Sequence, residues 1–246
     1  MDRIWWVVVA AGSSTRMGRA GAKMWLQIGE RPVMAWVLHA IVQAGPAYGG
    51  VVVVRPEDVE RTKRLVASTF PETRWMVEVG GKTRAESVRR GLQAIMSDGG
   101  ALEDLVLIHD GARPLIDSAL VARVVEAAAS DGAAVPLVAV ADTVKQVGVA
   151  GTHVLETVDR QHLGFAQTPQ GFRLGAIWEA HRRLGPDAVV TDDAEVMERL
   201  QHPVRVVLGD ARNRKITTPE DVAWVRWQLA DRGDNVGEPS KGGVQG

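Results

Sequence analysis

The chain has 246 residues, 29 Lys and Arg against 30 Asp and Glu, a formal net charge of −1, 46% hydrophobic content and no cysteine. It is long enough to bury a sizeable core, and the lack of cysteine excludes disulfides and thiolate metal sites, which fits a reducing cytoplasm. With no tract of Lys and Arg and no segment near the ~20 apolar residues of a membrane span, neither a nucleic acid nor a bilayer is the expected partner.

Met1-Asp2-Arg3 followed by an apolar run at 4–9 imitates a short signal peptide. The reading is disfavoured: the positive region is one Arg beside an Asp, and cleavage would discard the first strand. That run instead predicts a buried strand opening into Ala10-Ala11-Gly12-Ser13-Ser14-Thr15-Arg16-Met17-Gly18, with Lys23 beyond. Small residues let backbone N–H groups approach an anion, and Arg16 and Lys23 supply the charge a polyphosphate needs once it leaves water.

Downstream, short valine-rich runs alternate with amphipathic stretches of helical spacing. Strands are predicted at 51–54, 75–79, 105–109, 133–140 and 204–208, and helices at 32–43, 56–68, 83–96, 118–129, 174–184, 192–200 and 219–229. This is the pattern of βαβ units, and it predicts an α/β fold: a Rossmann-like, mostly parallel sheet flanked by helices. Pro32, Pro56 and Pro219 fall near first helical turns, and Ser118 and Thr191 are the predicted caps of the helices after them. From 138 to 164 the rhythm breaks into alternating residues around a glycine-bearing turn at 148–151, which predicts a β-hairpin arm. So small a hairpin must pack on something, either its own sheet or a second subunit. Residues 1–230 read as a single domain, and the glycine-rich stretch 231–246 as a disordered tail.

Three phosphate loops are excluded by spacing. G-x-G-x-x-G fails because Ser13 and Ser14 follow Gly12 and the second strand ends at Arg55, where an acidic ribose partner belongs. A Walker loop fails because Gly12 to Gly18 continues into Arg19, and Gly81-Lys82-Thr83 has Met76 where the first glycine belongs. Gly12-Ser13-Ser14-Thr15-Arg16 lacks the second glycine of a nucleophile elbow. In open α/β sheets ligands lie outside the carboxyl ends of the strands, and the loops after Val9 and Val79 and the residue Asp110 all fall at that edge.

The opening Ala10-Ala11-Gly12 through Arg16-Met17, with Lys23, resembles the nucleotidyltransferases that couple a nucleoside triphosphate to a sugar or polyol phosphate. Within that superfamily Lys23-Met24-Trp25-Leu26, Gly80 through Val88, His109-Asp110-Gly111-Ala112-Arg113-Pro114, Thr157-Val158-Asp159-Arg160, Gln167-Thr168-Pro169-Gln170, Thr191-Asp192-Asp193-Ala194 and Lys215-Ile216-Thr217 are similar to the 2-C-methyl-D-erythritol 4-phosphate cytidylyltransferase family over nearly the whole chain. Departures are Val9 where the family usually has proline, Gly111 where alanine is commoner, and Lys82 at a position often acidic, which leaves the contacts around the base open.

The resemblance implies CTP and methylerythritol phosphate as ligands, Mg²⁺ or another divalent cation as cofactor, and a homodimer joined through the arm. Arg16, Lys23 and Lys215 would act on the reacting phosphates. Ala10, Ala11, Gly12, Gly81, Lys82, Ser87, Asp110 and Gly111 map onto nucleotide contacts, with Asp110 also on the metal. Arg113, Thr143, Arg160, Thr168 and Thr191 map onto the acceptor, Arg160 and Thr168 from the neighbouring subunit. Chemistry of this kind needs positioning and electrostatics, not a protein nucleophile.

Each residue alone also has a plainer reading. Arg16 reads as a surface cation and Asp110 as loop chemistry before glycine. Lys215 cannot be separated by periodicity from Arg212 or Arg214. Asp192, Asp193 and Glu195 read as first-turn acids favoured by the helix dipole before they read as a second metal site. No histidine is assigned a role, and His109 reads as a packed strand-end residue. The eight tryptophans fall mainly on core or interface patterns, with Trp25 alone near the site. The rival functions are a cytidylyltransferase for ribitol phosphate or a similar polyol phosphate, and, in a different class, a nucleotide sensor or a nicotinamide-dependent reductase. The sequence around Arg160 leans to methylerythritol, since ribitol relatives tend to differ there.

Overall fold

The computed structural model describes residues 3–12, 22–45, 47–71, 73–185 and 188–234. Arg16 and the tail beyond Asp234 lie outside the described residues. In chain order the elements are β1 (Ile4–Val9), a 3-10 turn at Ala22–Trp25, β2 (Gln27–Ile28), β3 (Arg31–Pro32), α1 (Val33–Ala44), β4 (Gly49–Val54), a 3-10 turn at Pro56–Asp58, α2 (Val59–Thr69), β5 (Arg74–Val79), α3 (Arg84–Ser97) and β6 (Leu105–Asp110). There follow α4 (Ser118–Asp131), β7 (Ala133–Ala139), β8 (Val144–Val147), β9 (Val154–Val158), β10 (Gly164–Ala166), β11 (Gln170–Arg173), α5 (Leu174–Arg183), α6 (Asp193–Arg199), β12 (Arg205–Leu208) and α7 (Pro219–Asp231).

β1 is central, parallel to β4 on one side and to β6 on the other, and β5 extends the sheet beyond β4. β11 runs antiparallel between β6 and β7, β10 also pairs antiparallel with β7, and β12 pairs with β7 in parallel. The sheet is therefore mostly parallel, as the alternation of strands and helices predicts. Both of its faces are covered, which is why its strands read as continuous apolar runs and not as alternating ones. Along β1, Trp6 and Val8 join α1, α4 and α7 on one face, and Trp5 and Val7 join α3, α5 and α6 on the other.

Three local expectations are revised. The helix cap before α4 is Asp117, accepting from Leu120 N at 2.8 Å, and the cap before α6 is Asp192, accepting from Glu195 N at 3.0 Å, one residue away from Ser118 and Thr191 respectively. Carboxylates outcompete the neighbouring hydroxyls because they accept more strongly at a helix N-terminus. β11 has no counterpart in the sequence reading: its four residues carry no periodic signal, and only the slot between β6 and β7 makes them a strand. Of the stretch 138–164, only β8 and β9 form the separate hairpin, while Val138 and Ala139 belong to β7 and Gly164 to β10 in the main sheet.

Candidate active site

The carboxyl ends of β1, β5 and β6 open on one cavity of roughly 370 Å³. Ala10, Ala11, Gly12, Lys23, Gly81, Lys82, Ser87, Asp110 and Lys215 line it, with Thr83 and Arg84 at the start of α3. The loops are drawn together by ladder bonds that outlast the strands: Gly80 N donates to Val54 O at 2.8 Å, and Gly111 N to Val9 O at 2.9 Å. Two glycines allow this closeness. A Cβ on Gly80 would meet the Ala11 Cβ at 2.3 Å, and one on Gly111 would meet the Ala10 Cβ at 3.0 Å. Gly111 therefore shapes the cavity from behind without lining it.

The loop between β5 and α3 is held by its own helix. Thr83 caps α3 by accepting from Glu86 N at 3.1 Å, Glu86 accepts from Lys82 N at 2.8 Å, and the Ser87 hydroxyl accepts from Gly81 N at 3.0 Å while donating to Thr83 O at 2.9 Å. Ser87 thus braces the loop that faces the cavity. The Lys82 side chain is exposed on the rim.

Asp110 is the electrostatic centre. Its Oδ2 lies 2.8 Å from Lys215 Nζ and 3.7 Å from Arg113 Nε, and its Oδ1 lies 3.4 Å from Arg84 Nε. Burial alone would raise its pKa, but Lys215, Arg84 and Arg113 outweigh that and hold the carboxyl well below the usual carboxylate range. Lys23 reaches the same place from the other wall, donating to Ile216 O at 2.8 Å beside Lys215. Lys215 is set by its neighbours: the Asn213 amide donates to Thr168 O at 2.7 Å, and Ile216 is fully buried with its N–H on Ala112 O at 2.8 Å. The two other candidates of that loop are engaged elsewhere, Arg212 with Asp210 and Asp117, and Arg214 over the Trp224 ring at 4.6 Å.

Behind Asp110 lies a hydrogen-bonded clamp. His109 Nε2 is 3.0 Å from the Arg113 carbonyl, which only accepts, so Nε2 carries the proton. Burial lowers the His109 pKa to about 4, so the ring is neutral and Nδ1 accepts from the Thr168 hydroxyl at 3.1 Å. The Thr168 oxygen in turn accepts from Asp110 N at 3.0 Å. His109 is thereby a fixed support for the loop that bears Asp110 and Arg113.

The acceptor candidates are more dispersed. Arg113 is partly buried, donating to Asn213 O at 2.7 Å, beside Asp110. Thr168 is buried and turned onto Asp110 of its own chain. Thr191 is exposed and donates to Glu195 at 2.9 Å, Thr143 is exposed just before β8, and Arg160 is exposed after β9 with its guanidinium on Ala141 O. Asp192 and Glu195 act as helix-end acceptors, whereas Asp193 is wholly buried and its Oδ2 takes a 2.7 Å bond from Arg84. Arg84, given no role from the sequence, and Asp193, read there as a first-turn acid, are thus charged groups of the site. The signal was local: a cation at the first position of a helix opposes the helix dipole, which calls for a compensating partner. Among the described residues no cluster of three or more His, Asp or Glu forms a metal cage, and no helix is long and apolar enough to cross a membrane.

The sequence model of the 2-C-methyl-D-erythritol 4-phosphate cytidylyltransferase family matches residues 4–230. The chain is 39% identical over 227 residues to the 2-C-methyl-D-erythritol 4-phosphate cytidylyltransferase of Geobacillus kaustophilus, covering 92% of this chain and 96% of that protein. It is 41% identical over 228 residues to a bifunctional IspD/IspF enzyme of Solidesulfovibrio magneticus, covering 89% of this chain and 56% of that one; it spans about half the length of such bifunctional relatives. The crystal structure of the 2-C-methyl-D-erythritol 4-phosphate cytidylyltransferase from Thermus thermophilus superposes with a TM-score of 0.71 at 36% identity, over 92% of this chain and 98% of that one.

Proposed function

The chain belongs to the 2-C-methyl-D-erythritol 4-phosphate cytidylyltransferase family, and we propose that it joins CTP to 2-C-methyl-D-erythritol 4-phosphate with release of pyrophosphate. An oxygen of the acceptor phosphate bonds to the α-phosphorus of CTP as the bond from that phosphorus to the bridging oxygen breaks, and pyrophosphate leaves with the electron pair. The observation that carries this reading is the cation surplus of the cavity: among the described residues Lys23, Lys82, Arg84 and Lys215 line it against the one carboxylate of Asp110, which Arg113 also faces. Such a surplus suits a polyphosphate meeting a second phosphate, whose mutual repulsion is the main barrier to transfer.

Lys23, joined by Arg16, binds the triphosphate and stabilises charge moving onto the departing pyrophosphate. Lys215 spans the α-phosphate and the incoming phosphate. The backbone of Ala10 to Gly12 and of Gly81 takes the nucleotide, while Arg113, Thr143, Arg160 and Thr191 serve the acceptor. Asp110 fits Mg²⁺ as a carboxylate ligand beside phosphate oxygens, the donor set that hard cation prefers when the protein offers no full cage. A bound Mg²⁺ would neutralise phosphate charge.

The hairpin supports a homodimer: Val147, Val154 and Leu155 are exposed on a two-stranded sheet too small to own a core. In that assembly Arg160, after β9, reaches the neighbour's acceptor site. Thr168 holds Asp110 of its own chain. The lack of cysteine supports a reducing, cytoplasmic setting for this reaction.

The test is pyrophosphate release with Mg²⁺ and CTP, comparing methylerythritol phosphate, ribitol phosphate and no acceptor. Release with methylerythritol phosphate alone is expected; preference for ribitol phosphate would move the acceptor assignment, and silence of folded protein with both would overturn the transferase reading.

A further inference from the structure

The two oxygens of Asp110 are held in unlike ways. Oδ2 faces Lys215, which is 41% exposed on a loop, with Arg113 Nε at the longer distance of 3.7 Å. Oδ1 faces Arg84, the first residue of α3, whose Nη2 is anchored 2.7 Å from Oδ2 of the fully buried Asp193. Asp193 is itself fixed through its backbone: Gln170 Oε1 accepts from Asp193 N at 3.1 Å and Ala194 N at 2.9 Å, tying the start of α6 to β11. One carboxylate oxygen is thus tied to the buried scaffold through a guanidinium, and the other is held most closely by a part-exposed ammonium.

We propose that Arg84 is a positioning residue that pins Oδ1 of Asp110, so that Oδ2 is the exchangeable oxygen and Lys215 leaves it for the reacting phosphates without the carboxylate turning after it. The role rests on the proposed transfer reaction. The physical reason lies in the torsion: a carboxylate bonded on one oxygen only rotates about a broad terminal torsion and presents either oxygen to a departing cation. Unpinned, Asp110 would follow Lys215 and compete with the phosphates for it. A guanidinium suits the task because its fork spans two carboxylates at once, which an ammonium on a flexible stem does not do with fixed geometry.

The experiment is a double-mutant cycle on the full chain, with kcat, the KM for each substrate and the melting temperature read together. Arg84→Gln is expected to lower kcat by roughly 10- to 100-fold with the KM for CTP within about threefold, and Arg84→Lys to remain at least about tenfold down. In the Lys215→Ala background, where there is no ammonium to release, Arg84→Gln is expected to cost under about threefold. Equal cost in both backgrounds, as a purely structural role gives, overturns the proposal, as does a folded Arg84→Gln within about threefold of wild type. Should Arg84→Gln fail to fold, Asp193→Asn removes the anchor and is read in the same cycle with the same opposing outcomes. An active wild type with indifferent Arg84 variants defeats this role alone, whereas a folded, silent wild type defeats the reaction and this role with it.

Discussion

The pocket around Asp110 and the hairpin of β8 and β9 hold their side chains by opposite means. In the pocket, among the described residues, the groups around the carboxylate hold one another: Thr168 on Asp110 N, Asn213 on Thr168 O, Arg84 on Asp193. On the hairpin, Val147, Val149, Val154 and Leu155 face outward and the chain's own sheet does not cover them. The difference teaches where each region's order comes from. The pocket is pre-organised within one chain, so its electrostatics are in place before a ligand arrives, whereas the apolar side chains of the hairpin are left uncovered by the described residues.

The sharpest break of the comparison is Lys215→Ala. It removes a charge aimed at the reacting phosphates and no buried packing, so turnover is expected to fall on the order of 10²- to 10³-fold with the fold retained, at a small cost in melting temperature from the lost ion pair to Asp110. Pyrophosphate release and circular dichroism on one preparation check both halves, and wild-type turnover would sink the assignment.

The next effect is one of pH. The folded His109 ring titrates at about 4, against roughly 6.5 in an unfolded chain. Above pH ~6.5 both states are neutral there; between ~6.5 and ~4 the unfolded chain binds a proton that the folded one refuses, so stability falls as pH falls. The loss from this residue is on the order of 3 kcal/mol, and urea titrations at stepped pH are expected to show it in wild type and not in His109→Gln. Asp110 adds a loss further down, below pH ~4, because its folded pKa is depressed and protonation removes its ion pairs.

Gly80→Ala sharpens the role of close approach. The new methyl meets the Ala11 Cβ, forcing the β1 and β5 ends apart, and roughly 1–3 kcal/mol of destabilisation with weaker CTP binding by calorimetry is expected. Unchanged affinity would show that the cavity tolerates widening.

The smallest effect on folding is expected from Leu155→Asp on the hairpin. A 62% exposed residue contributes little to its own chain, so the unfolding free energy of the isolated chain changes by roughly 0.5 kcal/mol or less. Sedimentation is where the change is expected to register, as a shift from dimer to monomer; a dimer that persists would remove the hairpin from the proposed interface.

Much of the architecture was legible because its signals are local. The apolar runs of β1, β4 and β6 need both faces buried, and the loop from Ala10 to Gly12 with Lys23 announces an anion site at a strand end. Order along the chain and the rule that ligands sit at carboxyl ends bring Ala10, Gly81 and Asp110 to one edge without any contact being known. What stayed hidden depends on partners far away in sequence. β11 is a strand only because β6 and β7 leave it a slot. Lys215 differs from Arg212 and Arg214 only in what faces it. Asp193 reads as a first-turn acid, and Arg84 as nothing in particular, until the two are found paired. Periodicity and spacing determined the layers and the edge that holds the site, because burial and backbone geometry act over a few residues; the choice among like charges was made by tertiary structure, because the energy of an ion depends on the partner and the burial that only the folded chain supplies.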